Sequence, residues 1–330
     1  MSTQKASKKQ PRRKKVSSLL SFPEIADHYS DSALATTFYG DCLELLAEIP
    51  NGAIELVITS PPYNIGKKYE KRISVEDYYA QQKRVITECV SKLSPSGSIC
   101  WQIGNHVTDN GIVPLDIFLF PIFAELGLVL RNRIIWHFEH GLHCAKRLSG
   151  RYETIMWFTR PGKSYTFNLD AIRVPQKYPG KRYYKGPKAG QFSANPLGKN
   201  PGDVWIIPNV KHNHVEKTDH PCQFPVELVE RLVLALTNEG DLVLDPFMGA
   251  GSALVAAMLN RRRSAGADIV KSYVAITRKR LDAAYQGTLR VRPRNRPVFT
   301  PQGSITVAPW QAAENGPAPL PFGKLLESPQ

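Results

Sequence analysis

The chain has 330 residues, enough for a large core, and its 42% hydrophobic and 22% charged content is that of an ordinary globular protein, which excludes wholesale disorder. No apolar run approaches the ~18 residues of a membrane-spanning helix, and the basic N-terminus lacks the apolar stretch of a secretory signal. Five scattered cysteines with no C-x-x-C pair argue for a reducing cytoplasm and against a disulfide framework.

The net charge of +14 is concentrated. Residues 1–18 carry seven Lys/Arg and no acid, and residues 160–217 carry eleven against three acids, so the remainder is close to neutral. Segregated positive charge suits a polyanion, because each phosphate neutralised releases counterions. A solubilising tail with a random surface bias is the plainer alternative.

In chain order, residues 1–18 read as a disordered basic tail. Thr36–Tyr39, Cys42–Ala47 and Ile54–Thr59 read as strand, helix and strand, and two prolines at 61 and 62 end the last of these. A helix over about 75–93, a strand over 97–103, a helix over 113–126 and strands over 129–137 and 153–159 follow. From Pro161 to Asn209 the chain is rich in Pro, Gly, Tyr, Lys and Arg and has little helical period. Order returns with helix 226–236, strand 241–245, helix 251–259, strand 263–268 and helix 272–284. Residues 291–330 hold eight of the 26 prolines and read as a surface-draped or disordered tail. The alternation predicts an α/β fold with a doubly wound, mostly parallel sheet, divided into a tail (1–18), one half-core (19–159), a basic recognition insert (160–217), a second half-core (218–290) and a Pro-rich tail (291–330).

Two motifs carry chemistry. Asp245-Pro246-Phe247-Met248-Gly249-Ala250-Gly251-Ser252 joins a strand to a helix, where glycines admit a ligand to the backbone and the helix N-terminus offers free N–H groups. Asp268, at the end of the next strand, is placed to accept hydrogen bonds from ribose hydroxyls, so the set points to a nucleoside-containing cofactor. Ser60-Pro61-Pro62-Tyr63 follows a buried strand, where open α/β sheets hold their ligands. A hydroxyl, rigidly aimed carbonyls and an aromatic face suit a flat heterocycle bearing an amine.

Ser60–Tyr63 resembles the catalytic motif of the amino-group DNA methyltransferases, and Asp245–Gly251 resembles their S-adenosylmethionine motif. The order of the two resembles the circularly permuted beta class. By the same resemblance Asp41 would bind the cofactor's adenine amine, Phe224 belongs to the segment before the cofactor strand, and Asp268 stands where Glu is more usual. Ser60 stands where adenine-N6 enzymes commonly have Asp, which favours cytosine N4 over adenine N6. The resemblance implies methyl transfer from S-adenosyl-L-methionine to a flipped base of double-stranded DNA, stacked on Tyr63, with Ser60 and the Pro61 carbonyl holding the amine. It also implies the modification half of a restriction–modification system, whose restriction endonuclease would form no stable complex with it.

Lys177, Lys181, Arg182, Tyr183, Lys185 and Lys188 interleave charge and aromatic rings in the insert and are the candidate DNA-binding residues, a solvated loop being the alternative. Cytosine-C5 chemistry needs a cysteine nucleophile after proline; Pro221-Cys222 lies before the cofactor strand, so Cys222 is assigned to packing. His137, His140, His143 and Cys144 form a compact cluster, but Gly141 breaks the helix that would align them, and no metal site is expected. RNA methylation and a catalytically dead DNA-binding protein are the rival functions.

Overall fold

The computed structural model describes residues 25–64, 73–108, 111–139, 141 and 143–297; the basic tail, His140 and most of the C-terminal tail lie outside them. In the N-terminal half the elements are β1 (Ile25–Ala26), β2 (Ala35–Tyr39), α1 (Cys42–Glu48), β3 (Ile54–Thr59), α2 (Val75–Lys92), β4 (Leu93–Ile103), β5 (Asn105–Thr108), β6 (Gly111–Pro114), α3 (Leu115–Glu125), β7 (Val129–His137) and β8 (Tyr152–Thr159). After these come α4 (Leu169–Ile172), β9 (Val204–Ile206), α5 (Val226–Leu236), β10 (Leu242–Asp245), α6 (Ser252–Leu259), β11 (Arg263–Asp268) and α7 (Lys271–Tyr285).

Nine strands form one sheet in the order β1-β2-β11-β10-β3-β4-β8-β7-β9, and β5 and β6 form a separate hairpin. Within the nine-stranded sheet every pairing is parallel except those of β8, which runs against β4 and β7. The carboxyl ends of β2, β11, β10, β3 and β4 therefore share one edge, and the antiparallel course of β8 brings its first residues to that same edge. The chain order breaks between β10 and β3, the switch point where such sheets open a crevice.

Alternation along the strands divides the core. Leu56 and Ile58 of β3, Val243 of β10 and Ile155 and Trp157 of β8 face a layer built on α5, α6 and α7. Val57, Leu244, Met156 and Phe158 face the opposite layer of α1, α2 and α3. Burying both faces explains why β3 and β10 read as continuous apolar runs. α2 starts where Ser74 accepts the Asp77 N–H at 3.0 Å, has acids in its first turn and Lys92 in its last, and buries the stripe Tyr78, Gln82, Val85, Ile86, Cys89.

The basic segment is tied into this core at both ends. Asn168 donates its N–H to the Ala235 carbonyl at 2.7 Å, and β9 pairs in parallel with β7 while Trp205 and Ile207 are buried. The first residues after position 290 are also packed, with Arg292 buried against Glu227 and its N–H on Glu216. No described helix is long and apolar enough to cross a membrane.

Candidate active site

β3 delivers Thr59 to the carboxyl edge, and Pro61 and Pro62 then stop the ladder. The turn is held from below: the Tyr78 hydroxyl donates to the Pro62 carbonyl at 3.0 Å. Asn64 takes a left-handed φ of 56° and exchanges two hydrogen bonds with Ile73, at 2.8 and 2.9 Å. Next door, β10 delivers Asp245, and Thr59 donates its hydroxyl proton to Asp245 Oδ1 at 2.6 Å. That bond staples the Ser-Pro-Pro-Tyr loop to the glycine turn.

The turn itself is shaped by what packs on it. Gly251 has φ of 70°, and a Cβ there would lie 2.7 Å from the Thr277 hydroxyl of α7; Thr277 in turn donates to the Gly249 carbonyl at 2.8 Å. A Cβ on Gly249 would lie 2.9 Å from the His220 ring, which is fixed edge-on against Tyr273. Asp268 accepts the Gly249 N–H at 3.1 Å and the Val270 N–H at 2.8 Å, one on each oxygen. Each oxygen keeps further acceptor capacity.

Both loops open on a cavity of about 1100 Å³. Ser60, Pro61, Pro62 and Tyr63 line it, as do Asp41, Phe224, Pro246, Phe247, Gly249, Ser252 and Asp268. Asp245 and Gly251 stand behind the wall: both are buried, and Asp245 Oδ2 has no hydrogen-bond partner. Burial pushes the Asp245 carboxyl up to about 7, against the bonds from Thr59 and the Phe247 N–H, with Asp268 adding to the rise. Burial also raises Asp268, opposed by its two backbone donors. Asp41 caps α1, accepting the Leu43 N–H at 2.9 Å.

Tyr63 is less free than a stacking ring alone. Its hydroxyl lies 3.2 Å from Ser60 Oγ, donates to Glu153 Oε2 at 3.3 Å and accepts from Gln102 Nε2 at 2.8 Å. Burial, ahead of the nearby Glu153 charge, drives its pKa well above that of an ordinary phenol. Gln102 sits in no motif, and Arg151-Tyr152-Glu153 resembles a family segment near the target base to which sequence assigns no role; strand pairing brings both side chains to Tyr63. Phe138, His220 and Tyr273 also line the cavity.

Cys222 corrects the sequence reading. It is exposed and lines the cavity instead of packing in the core, because Gln223 and His220 make the loop's inward hydrogen bonds. Lys177, Lys181, Arg182, Tyr183, Lys185 and Lys188 are exposed on the insert and none lines the cavity. Among the described residues no three His, Cys, Asp or Glu side chains converge in a metal-binding group.

Residues 54–279 match the sequence profile of the N6/N4 methyltransferases, described as DNA methylase. The chain belongs to this DNA methylase family. The family match spans both loops of the cavity and the insert between them. The chain is 48% identical to the type II methyltransferase M.BglII of Bacillus subtilis over 263 residues, covering 79% of this chain and 71% of the relative. It is 34% identical to the DNA adenine methyltransferase YhdJ of Escherichia coli K12, covering 76% and 83%. A DNA modification methylase of Thermus thermophilus, solved in complex with S-adenosyl-L-methionine, superposes with a TM-score of 0.53 at 28% identity over 76% of this chain and 95% of that one. The cytosine-N4-specific PvuII methyltransferase shares the fold, with a TM-score of 0.60 at 20% identity over 77% and 92%.

Proposed function

We propose that this family member transfers a methyl group from S-adenosyl-L-methionine to the N4 amine of a cytosine flipped out of double-stranded DNA, as the modification enzyme of a type II restriction–modification system. The observation that carries the reading is the Thr59–Asp245 bond, which holds an amine-binding loop and a nucleoside-binding turn on one cavity. None of the described cysteines forms a disulfide, which suits a cytoplasmic setting.

The residues present fit the cofactor. Asp268 offers two carboxylate oxygens for ribose hydroxyls, the bare Gly249 leaves the backbone approachable, and Asp245 Oδ2 is a buried acceptor awaiting a donor such as an ammonium group. When bound, the cofactor supplies an activated methyl on a sulfonium. What the chain must do is prepare the amine, whose lone pair is delocalised into the base ring. Ser60 Oγ and the Pro61 carbonyl accept its two N–H bonds and draw the nitrogen towards a pyramidal state. Positioning of this kind can supply several kcal/mol. A serine suffices because the product ammonium is acidic and needs no strong base. Exposed lysines of the insert hold phosphates while the base enters the cavity.

Serine at position 60 favours cytosine; the likeness to a DNA adenine methyltransferase supports adenine N6 as the second reading. Incorporation of tritiated methyl into duplex DNA, followed by mass analysis of the nucleosides, decides. N4-methylcytosine is expected. N6-methyladenine would overturn the choice of base and spare the mechanism, whereas label in RNA alone would overturn the assignment.

A further inference from the structure

Glu153 lies at the start of β8, which runs against its neighbours in the nine-stranded sheet, so its carboxylate reaches the edge where β3 and β4 end. There Gln102 Nε2 donates both to Glu153 Oε2 and to the Tyr63 hydroxyl, and the Tyr63 hydroxyl donates to Glu153. An ionised carboxylate only accepts, and a phenol has one proton. With that proton committed to Glu153, the Tyr63 oxygen accepts from Gln102 and from Ser60. The Ser60 proton then points at Tyr63, 3.2 Å away, and its lone pairs face the cavity. A carboxylate at position 60 would be an acceptor unaided. A serine hydroxyl is ambivalent, and without a fixed direction it is free to turn its proton on the amine.

We propose that Glu153 is a positioning residue which, acting through Tyr63, fixes Ser60 as an acceptor for the substrate amine and takes up the proton that leaves after methylation. The inference rests on the methyl-transfer reading of the cavity. Once the nitrogen carries the methyl it holds one proton too many and a positive charge. That proton passes to Ser60 Oγ as the serine proton passes to Tyr63 and the tyrosine proton to Glu153. The amine and the two hydroxyls end neutral, and the carboxylate ends as a carboxylic acid open to the cleft. Other titratable groups near these hydroxyls are His106 of the β5 strand, whose Nδ1 lies 3.4 Å from the Tyr63 carbonyl, and Cys222, which lines the same cavity. Trp136, the partner of Glu153 on β7, is neutral, and Arg151 lies just before β8.

The test is single-turnover methyl transfer to unmethylated plasmid DNA by the full chain, from acid to alkaline pH, for wild type, Glu153→Gln and Tyr63→Phe. Cofactor and DNA dissociation constants serve as controls for folding. The wild-type rate should fall on the acid side as Glu153 takes up a proton. Glu153→Gln should bind cofactor and DNA as wild type does, lose about a hundred-fold in rate, and lack that acid limb. Tyr63→Phe, which keeps the ring and breaks the chain of hydroxyls, should show the same pair of changes and decides the matter if Glu153→Gln does not fold. A Glu153→Gln rate within three-fold of wild type, or a slow variant with the acid limb intact, overturns the inference alone. A wild-type chain that transfers no methyl at any pH overturns the methyl-transfer reading itself.

Discussion

Thr59 and Asp245 stand 186 residues apart in the chain and share a fully buried hydrogen bond of 2.6 Å, hydroxyl to carboxylate. The bond couples two loops from opposite halves of the sequence across adjacent strands β3 and β10. Its strength comes from burial, where water offers no competing partner.

Asp245 pays for that position with stability. Its carboxyl, raised to about 7 by burial, binds a proton more tightly in the native than in the unfolded chain. Native stability therefore falls as pH rises from the ordinary carboxylate range to about 7, and is level above it. Asp245→Asn should raise stability at pH 8 by something on the order of 3 kcal/mol and leave it unchanged at pH 4. Melting temperatures at both pH values check this, and cofactor affinity should drop at least ten-fold.

Two glycines with the same left-handed backbone should respond differently to alanine. Gly251→Ala meets both a strained φ of 70° and the Thr277 side chain, whereas Gly52, at φ of 76°, has nothing within 4 Å of a new Cβ. Gly52→Ala should cost about 1–2 kcal/mol, the strain alone. Gly251→Ala should cost more, and cofactor binding should be lost with it. Urea unfolding and cofactor titration of the two variants measure the contrast.

Arg292 anchors the chain after α7 by pairing with the buried Glu227. Burial raises the Glu227 carboxyl against the pull of Arg292. Arg292→Ala leaves that acid without its counter-charge and should cost about 3–5 kcal/mol in urea unfolding. Since Glu227 would then be raised further, the loss should be larger at pH 8 than at pH 5. Replacing both partners by methionine should cost less than the single change.

Salt dependence reads out the insert. Lys177, Lys181, Lys185 and Lys188 are exposed, whereas Arg182 stacks on Phe192 at 4.2 Å and helps hold the loop. Alanine at the four lysines should flatten the plot of log affinity against log salt by about 0.9 for each lysine resting on a phosphate. Fluorescence anisotropy with a labelled duplex measures it; an unchanged slope would assign the lysines to solvent.

The strands that form the crevice were legible because burial on both faces demands runs such as Ile54–Thr59 and Leu242–Leu244. The place of the two loops at the strand ends was legible because proline and glycine leave little conformational choice. The elements that escaped are β1, β5, β6, α4 and β9. β1 has two residues, too few for a period, and β9 carries its pattern in Trp205 alone between exposed neighbours. The β5–β6 hairpin does carry a local signal in the sequence, Asn110-Gly111 between short runs containing valine and isoleucine. Arg151-Tyr152-Glu153 resembles a family segment near the target base, but the meeting of Glu153 with Gln102 was not legible, since it depends on β4 and β8 pairing antiparallel in one register. Cys222 was misread because a free cysteine is usually core, and nothing local showed that its neighbours would take the inward bonds.

The bridge between Val174 and Lys199 closes the insert into a loop whose sides between them are almost wholly exposed, while Asn168 ties one root to the end of α5 and β9 ties the other to the sheet. A part so exposed, and joined to the core only at its roots, contributes few side chains to the core. Substitutions there can change its surface chemistry while the cavity wall keeps its packing.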